Sequence, residues 1–366
     1  MHIIVTGTRG IPSIQGGIET HCEELYPLLY SLCGVNITLI CRSAFVTSDN
    51  HLAEFKGIKL KTIYSPGSKS LEAIVHTFLS VLYAGVKRPQ VLHIHAVGPN
   101  LLTPFARLLG LKVVMTHHGP DYERKKWGRM AKIFLKLGEW AGVKFANKVI
   151  VISQEIGNSI EKKYGRKNYI LIPNGVPSAI SNKNTDFLQQ LNIKSDKYIF
   201  TLGRFVPEKG FDYLIKAWKQ SAISDSYKLV IAGDADHETP WSVDLKKMAK
   251  EQGVILTGFI KGEPLQQLLT HARLFVLPSF YEGLPISLLE AMSYGLDILA
   301  SDISANKEVN LPEESYFETG NIESLTAKLE QKLSVEKAHT TYDLSRYNWE
   351  NIARQTFEVY KEAVGE

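Results

Sequence analysis

The sequence is poor in cysteine and lacks any long apolar run. Its 366 residues include only Cys22, Cys33 and Cys41. Their odd number and the absence of a metal-ligand spacing argue against a disulfide framework or a cysteine-held zinc ion, and suit reduced thiols in a reducing compartment. The longest apolar stretch, LEAIVHTFLSVLYAGV from Leu71, stops short of the roughly 20 residues a bilayer span needs and contains Glu72 and His76. It reads as a packed helix. The chain starts MHIIVTG, a buried strand without a basic leader or small-residue cleavage site, so the expected location is the cytoplasm. No G-x-G-x-x-G occurs, which weakens a nicotinamide-cofactor reading. Low-complexity tracts are absent, and nothing repeats beyond two similar α/β halves.

What is present is an ordinary soluble composition, 44% hydrophobic and 22% charged, in a chain long enough for two cores. The net charge of +4 is uneven: residues 1–170 hold 22 Lys/Arg against 11 Asp/Glu, and residues 171–366 hold 20 against 27. The basic excess peaks in YERKKWGRMAKIFLKLGEWAGVKFANK from Tyr122, where Trp127, Phe134, Leu135, Trp140 and Phe145 interleave with Lys and Arg at helical spacing. Two readings stand: a helix lying on an anionic membrane surface, or a helix with one face in the core and a solvated basic face. A nucleic-acid partner is not expected, since no recognition motif or aromatic platform accompanies the charge.

Short β-rich runs alternate with helical patterns: HIIVTG, VNITLIC, IKLKTIY, VLHIH, KVVMTH and KVIVIS, then KYIFTLG, KLVIAGD, VILTG, RLFVLPS and DILAS. Such alternation predicts βαβ units and parallel sheets, hence an α/β fold of two Rossmann-like doubly wound domains facing a central cleft. The rhythm pauses at LIPNGVPSAISNKNTD. This places an N-terminal domain at 1–172, a linker at 173–184 and a C-terminal domain at 185–341, with a final helix at 342–366 packing back on the first domain. Chemistry belongs in the loops after the strands, where helix N-termini present unpaired N–H groups.

Several of those loops carry suitable residues. In TGTRGIPSIQGGIETH, Gly16 and Gly17 precede a helix and either shape a tight turn or admit a phosphate or sugar to the backbone; Arg9 and Glu19 are candidate contacts. In THHGPDYERKKWG, His117 and His118 end a strand with Gly119 and Asp121 following, and no partner at zinc-ligand spacing is evident. In LGRFVPEKGFDY, Gly203 and Arg204 follow a strand and Lys209 opens the next helix, two cations at a helix start as a diphosphate requires. Asp234 and Asp236 in GDADH suggest a divalent metal, but the two cations already supply that charge, and a polar loop is the preferred reading. In YEGLPISLLEAM, Glu282 lies on a loop and Glu290 well inside the helix after Pro285. Carboxylates a turn and a half of helix apart do not flank one glycosidic bond at the roughly 5–9 Å of a hydrolase; as acceptors of paired hydroxyl hydrogen bonds they hold a ligand instead.

Taken in order, the Gly-Gly loop, the His-Gly loop, PNGV at Pro173–Val176, GR-x4-KG at Gly203–Gly210 and E-x7-E at Glu282–Glu290 resemble glycosyltransferase family 4, the retaining sugar transferases of GT-B architecture, over essentially the whole chain. Within it, GTRGIPSIQGGIETHCEELYPLL and HHGPDYERKKWG look most like bacterial surface-polysaccharide enzymes, often rhamnosyl- or other hexosyltransferases. The resemblance implies Arg204 and Lys209 on the donor diphosphate and Glu290 on the ribose. It gives Glu282, Gly283 and Leu284 the donor sugar and phosphate, and His118 the sugar near its reacting carbon. Gly16, Gly17 and Gly203 complete the donor side, with Arg9, Glu19 and Asp121 toward the acceptor. Implied partners are a nucleotide-sugar donor and a saccharide or lipid-diphosphate-linked acceptor, with no metal or other cofactor. A nucleotide-sugar epimerase and a non-catalytic sugar-nucleotide-binding subunit remain the alternatives.

Overall fold

The structure, a computed structural model, describes residues 1–47, 51–67, 72–123, 128–337 and 339–366. Arg124 to Trp127 of the basic stretch, and Leu71, lie outside the described residues. In chain order the elements begin β1 (His2–Thr6), α1 (Gly17–Cys33), β2 (Asn36–Arg42), β3 (Glu54–Phe55), β4 (Ile58–Ile63), α2 (Glu72–Lys87), β5 (Val91–His95), α3 (Thr103–Leu108), β6 (Val113–His117), α4 (Arg129–Phe145), β7 (Lys148–Val151), α5 (Gln154–Tyr164) and β8 (Ile170–Leu171). They continue α6 (Asp186–Gln190), β9 (Tyr198–Leu202), α7 (Phe211–Gln220), β10 (Lys228–Ala232), α8 (Pro240–Gln252), β11 (Ile255–Leu256), α9 (Glu263–His271), β12 (Leu274–Leu277), α10 (Ile286–Ser293), β13 (Ile298–Ser301), α11 (Ser304–Lys307), β14 (Tyr316–Phe317), α12 (Ile322–Leu333) and α13 (Trp349–Val364).

These elements form two compact units, Met1–Gly175 with Arg346–Glu366, and Val176–Ser345. The first unit holds an eight-stranded sheet of order β3-β4-β2-β1-β5-β6-β7-β8, parallel except for the β3–β4 pair. Strands buried on both faces need uninterrupted apolar runs, and Ile3, Ile4 and Val5 of β1 are fully buried. The C-terminal helix completes this core. Trp349, Ile352, Ala353, Val359 and Tyr360 of α13 pack with Leu25, Tyr26 and Leu29 of α1. Helical structure starts later than the sequence pattern suggests: Asn348 caps it by accepting from Asn351 N–H, and Tyr342 to Asp343 are not helical.

The second unit holds a parallel six-stranded sheet of order β11-β10-β9-β12-β13-β14. Its core includes Phe211, Leu214 and Trp218 of α7 and Leu325 and Leu329 of α12. Strand order reverses between β1 and β5 in the first sheet and between β9 and β12 in the second. In open α/β sheets such reversals mark where ligands bind, outside the carboxyl ends of the strands.

Candidate functional site

In the second unit both loops at the reversal point carry residues singled out from the sequence. The loop after β9 runs through Gly203 and Arg204 to a 3-10 turn, Pro207–Lys209, so Lys209 precedes α7 rather than opening it; Gly210 is the N-cap. Gly210 has φ +67°, and a Cβ there would sit 2.2 Å from Pro278 O; only glycine lets this loop press against the one after β12. The two are stitched by Phe280 N–H donating to Glu208 O (2.8 Å). Across that seam Lys209 Nζ meets Glu282 Oε1 at 2.5 Å, and Ser279 Oγ donates to the same oxygen at 2.6 Å. Arg204 Nη1 pairs with Asp236 Oδ2 at 2.9 Å, and Lys246 Nζ with Asp234 Oδ1 at 2.8 Å. The two aspartates therefore serve different cations.

The helices that follow these loops start without side-chain caps: α7 on Gly210 and α10 on Pro285, whereas Thr239 and Asn321 cap α8 and α12. Positive dipole ends and backbone N–H groups thus meet two cations at one reversal point, an arrangement suited to a diphosphate. Leu284 is buried, Gly283 is half-buried, and Glu290 lies half-exposed on α10. A pocket of about 350 Å³ opens beside Asp234, lined by Phe205, Gly233, Lys246, Lys250, Val254 and Leu256. No sequence pattern announces it, because its walls come from separate elements.

In the first unit the loop after β1 is braced by an ion pair. Glu19 is buried and accepts from Arg9 N–H (3.0 Å), Arg9 Nη2 (3.1 Å) and Thr8 Oγ1 (3.3 Å), while Arg9 Nη2 also donates to Gln15 O at 2.6 Å. These two side chains shape the loop. Gly16, at φ +154°, is required by that brace, since a Cβ would meet Glu19 Oε2 at 2.1 Å. Gly17 is different: a Cβ there meets nothing within 4 Å, so local packing does not demand glycine. Asp121 sits half-buried in a 3-10 turn, Asp121–Glu123.

His117 and His118 diverge. His117 is buried, accepts from Gly119 N–H at Nδ1 (3.1 Å) and donates from Nε2 to Glu139 Oε1 (2.8 Å). Glu139 also accepts from Tyr122 (2.9 Å) and Tyr164 (2.5 Å); its carboxyl is held below the usual range by His117, Tyr164 and Lys163, which outweigh the opposing effect of burial. His117 is therefore a tie to α4. His118 stays partly exposed and its Nε2 lies 2.9 Å from His95 Nδ1. Behind it runs a buried chain: His95 Nε2 to Tyr26 OH (2.5 Å), Tyr26 OH to His93 Nδ1 (3.0 Å), and His93 Nδ1 to Tyr360 OH (2.7 Å). His21 packs edge-on to His118 with centroids 4.9 Å apart, and its Nδ1 pairs with Asn174 Oδ1 at 3.0 Å. Desolvation by burial lowers the pKa of His21 to about 4. Burial, then the neighbouring imidazoles, push His95 and His118 well below the ordinary histidine value.

His21, His93, His95, Tyr26 and Asn174 are the participants that motif reading missed. The available signal was His93 and His95 two residues apart on a strand, which puts both on one face. PNGV acquires a local reason as well. Asn174 holds His21, and Gly175 lies flat against Trp349, where a Cβ would approach the indole to 2.4 Å.

Comparison with known proteins agrees with this architecture. The family described as Glycosyltransferase Family 4 matches residues 15–179, and Glycosyl transferases group 1 matches residues 182–354. The chain belongs to these glycosyltransferases. An uncharacterized glycosyltransferase of Methanocaldococcus jannaschii is 30% identical over 190 residues, 49% of this chain and 48% of that protein. The O-antigen chain mannosyltransferase B of Escherichia coli is 26% identical over 184 residues, 48% of each. The chain thus spans about half the length of these curated relatives. Among solved structures, sucrose-phosphate synthase from Thermosynechococcus elongatus superposes with TM-score 0.81 at 19% identity, over 99% of this chain and 98% of that one. Anabaena HepE in complex with UDP-glucose gives TM-score 0.79 at 18% identity, over 99% of both. At such identities the likeness establishes the GT-B fold.

Proposed function

We propose that this glycosyltransferase moves a hexosyl group, with retention of configuration, from a nucleotide-diphosphate sugar to a saccharide acceptor in bacterial surface-polysaccharide synthesis. The observation that carries this reading is the reversal point of the second sheet, where Lys209, Arg204 and two uncapped helix N-termini come together. When the bond from sugar C1 to the diphosphate breaks, the leaving oxygens gain charge, and fixed cations aimed at that charge favour the transition state over the ground state. Lys209 and Arg204 take the diphosphate and neutralise it without a metal. Glu290 takes the ribose, and the pocket beside Asp234 receives the base.

Glu282, already joined to Lys209 and Ser279, is the group for donor-sugar hydroxyls, with Gly283 and Leu284 beside the phosphate. His118 contacts the sugar near the reacting carbon, and Gly17 leaves room for close approach at the start of α1. Attack from the leaving-group face lets a diphosphate oxygen take the acceptor proton. The acceptor is lipid-diphosphate-linked, and the first unit meets an anionic membrane surface through α4. The polysaccharide context is supported by relatives such as the O-antigen mannosyltransferase and the amylovoran biosynthesis glycosyltransferase of Erwinia amylovora.

The test is Lys209→Ala in the full chain. Turnover with the cognate nucleotide sugar should fall by about 10²–10³-fold while circular dichroism is unchanged; near-normal turnover removes the diphosphate role. Glu290→Ala should chiefly weaken donor affinity, read by calorimetry, and an unchanged affinity removes its ribose role.

A further inference from the structure

Three imidazoles from separate elements converge in the first unit: His21 on α1, His95 at the end of β5 and His118 just past β6. One ring nitrogen of each lies within 4.8 Å of the other two. The opposite nitrogens of two rings are anchored. His21 Nδ1 is tied to Asn174 Oδ1, which leaves Nε2 with the lone pair, and His95 Nε2 meets the Tyr26 hydroxyl. We propose that His21 Nε2, His95 Nδ1 and His118 Nε2 form a binding site for one divalent transition-metal ion of the zinc class.

The chemistry of the donor set supports this. Three neutral imidazoles with an open fourth position suit zinc and its neighbours, and suit magnesium or calcium poorly. Metal-binding histidines characteristically have the far nitrogen held by a polar partner, as His21 and His95 do here. Burial keeps the rings neutral, so at neutral pH no proton must be expelled. In the metal-free protein one proton lies between His95 Nδ1 and His118 Nε2. Loading requires His95 to carry its proton on Nε2, toward Tyr26, and His118 to carry its own on Nδ1. Either starting arrangement reaches that state by a change of tautomer in one ring, with no net loss of protons. His118 is partly exposed, which gives the ion a way in. Resting on the proposed function, occupancy takes the histidine assigned to the donor sugar, so the ion inhibits transfer.

Cobalt(II), a visible analogue of zinc, tests the site in the metal-free full chain. Expected are d–d absorption bands saturating at one equivalent, without thiolate charge-transfer bands, and their loss on adding one equivalent of zinc. Asn174→Ala should weaken cobalt binding by about 10–100-fold, and His95→Ala should abolish it. If His95→Ala does not fold, the wild-type titration and Asn174→Ala decide. Absence of the bands, their persistence in a folded His95→Ala, or thiolate bands from Cys22, Cys33 or Cys41 overturn the site. A protein that binds cobalt but transfers no sugar even when metal-free sinks the transferase reading and leaves the site; a metal-free protein that is active but shows no bands with cobalt does the reverse.

Discussion

At the scale of single residues, the first unit depends on histidines that must remain uncharged. Burial lowers His21 to about 4, and His76 and His93 to about 3, with Arg42 adding to the effect at His76 and His21 at His93. Between those values and the ordinary 6.5 of an unfolded chain, each takes up a proton on unfolding. Their contribution is therefore complete above pH 6.5 and is lost as pH falls, by about 1.4 kcal/mol per pH unit for each group. The urea midpoint should drop steadily from pH 6.5 to 4.5; a flat midpoint over that range would show that these rings are hydrated in the folded protein. Motif reading singled out residues at fixed local spacing, such as Arg204 with Lys209 and Glu282 with Glu290. It missed His21 and Asn174, because 153 residues separate them and only the folded sheet brings them together. Nor could it show that Arg9 and Glu19, its candidate ligand contacts, pair with each other, since a buried ion pair and two exposed charges look alike in sequence.

At the scale of elements, α4 shows how close approach is written in glycine. Gly138 and Gly142, four apart on one face, press the helix onto the chain after β5 and onto β6: a Cβ on Gly138 would lie 2.3 Å from Val97 O, and one on Gly142 2.5 Å from Met115 Sδ of β6. Gly→Ala inside a helix ordinarily gains about 1 kcal/mol. Overpacking against backbone costs typically about 1–3 kcal/mol, so at Gly138 the clash should win. Gly138→Ala is expected to lower the melting temperature, and a rise would mean that α4 lifts off at no cost. Longer strands and helices were legible through their apolar periodicity. The strands β3, β8 and β14, two residues each, were not, whereas the equally short β11 was reached through the apolar run VILTG around it; all of these pair with a neighbouring strand.

At the scale of the whole molecule, the chain leaves the first unit after Gly175 and rejoins it at Arg346, so the second unit is an insertion between a sheet and the helix that finishes its core. Among the described residues no helix is long and apolar enough to cross a membrane. Yet α4 turns an apolar stripe outward: Met130, Ile133, Phe134, Leu137 and Trp140 are 67, 51, 45, 45 and 43% exposed. Their spacing of three and four residues is one helix face. Lys136 and Lys144 on the same helix are exposed as well, within the half of the sequence that carries the positive excess. Inserting one such side chain into the headgroup boundary contributes roughly 1.5–3 kcal/mol, and each nearby cation about 1 kcal/mol on an anionic surface. The combination predicts binding to phosphatidylglycerol vesicles that weakens with salt as the charges are screened. Ile133→Glu should reduce that binding at least about tenfold, because it removes apolar contact and adds repulsion. Nucleotide-sugar affinity should not change, since none of the residues proposed for the donor lies on α4. Vesicle flotation of wild type and Ile133→Glu at low and high salt reads both terms. Equal flotation of the two proteins would assign the stripe to some other partner than lipid.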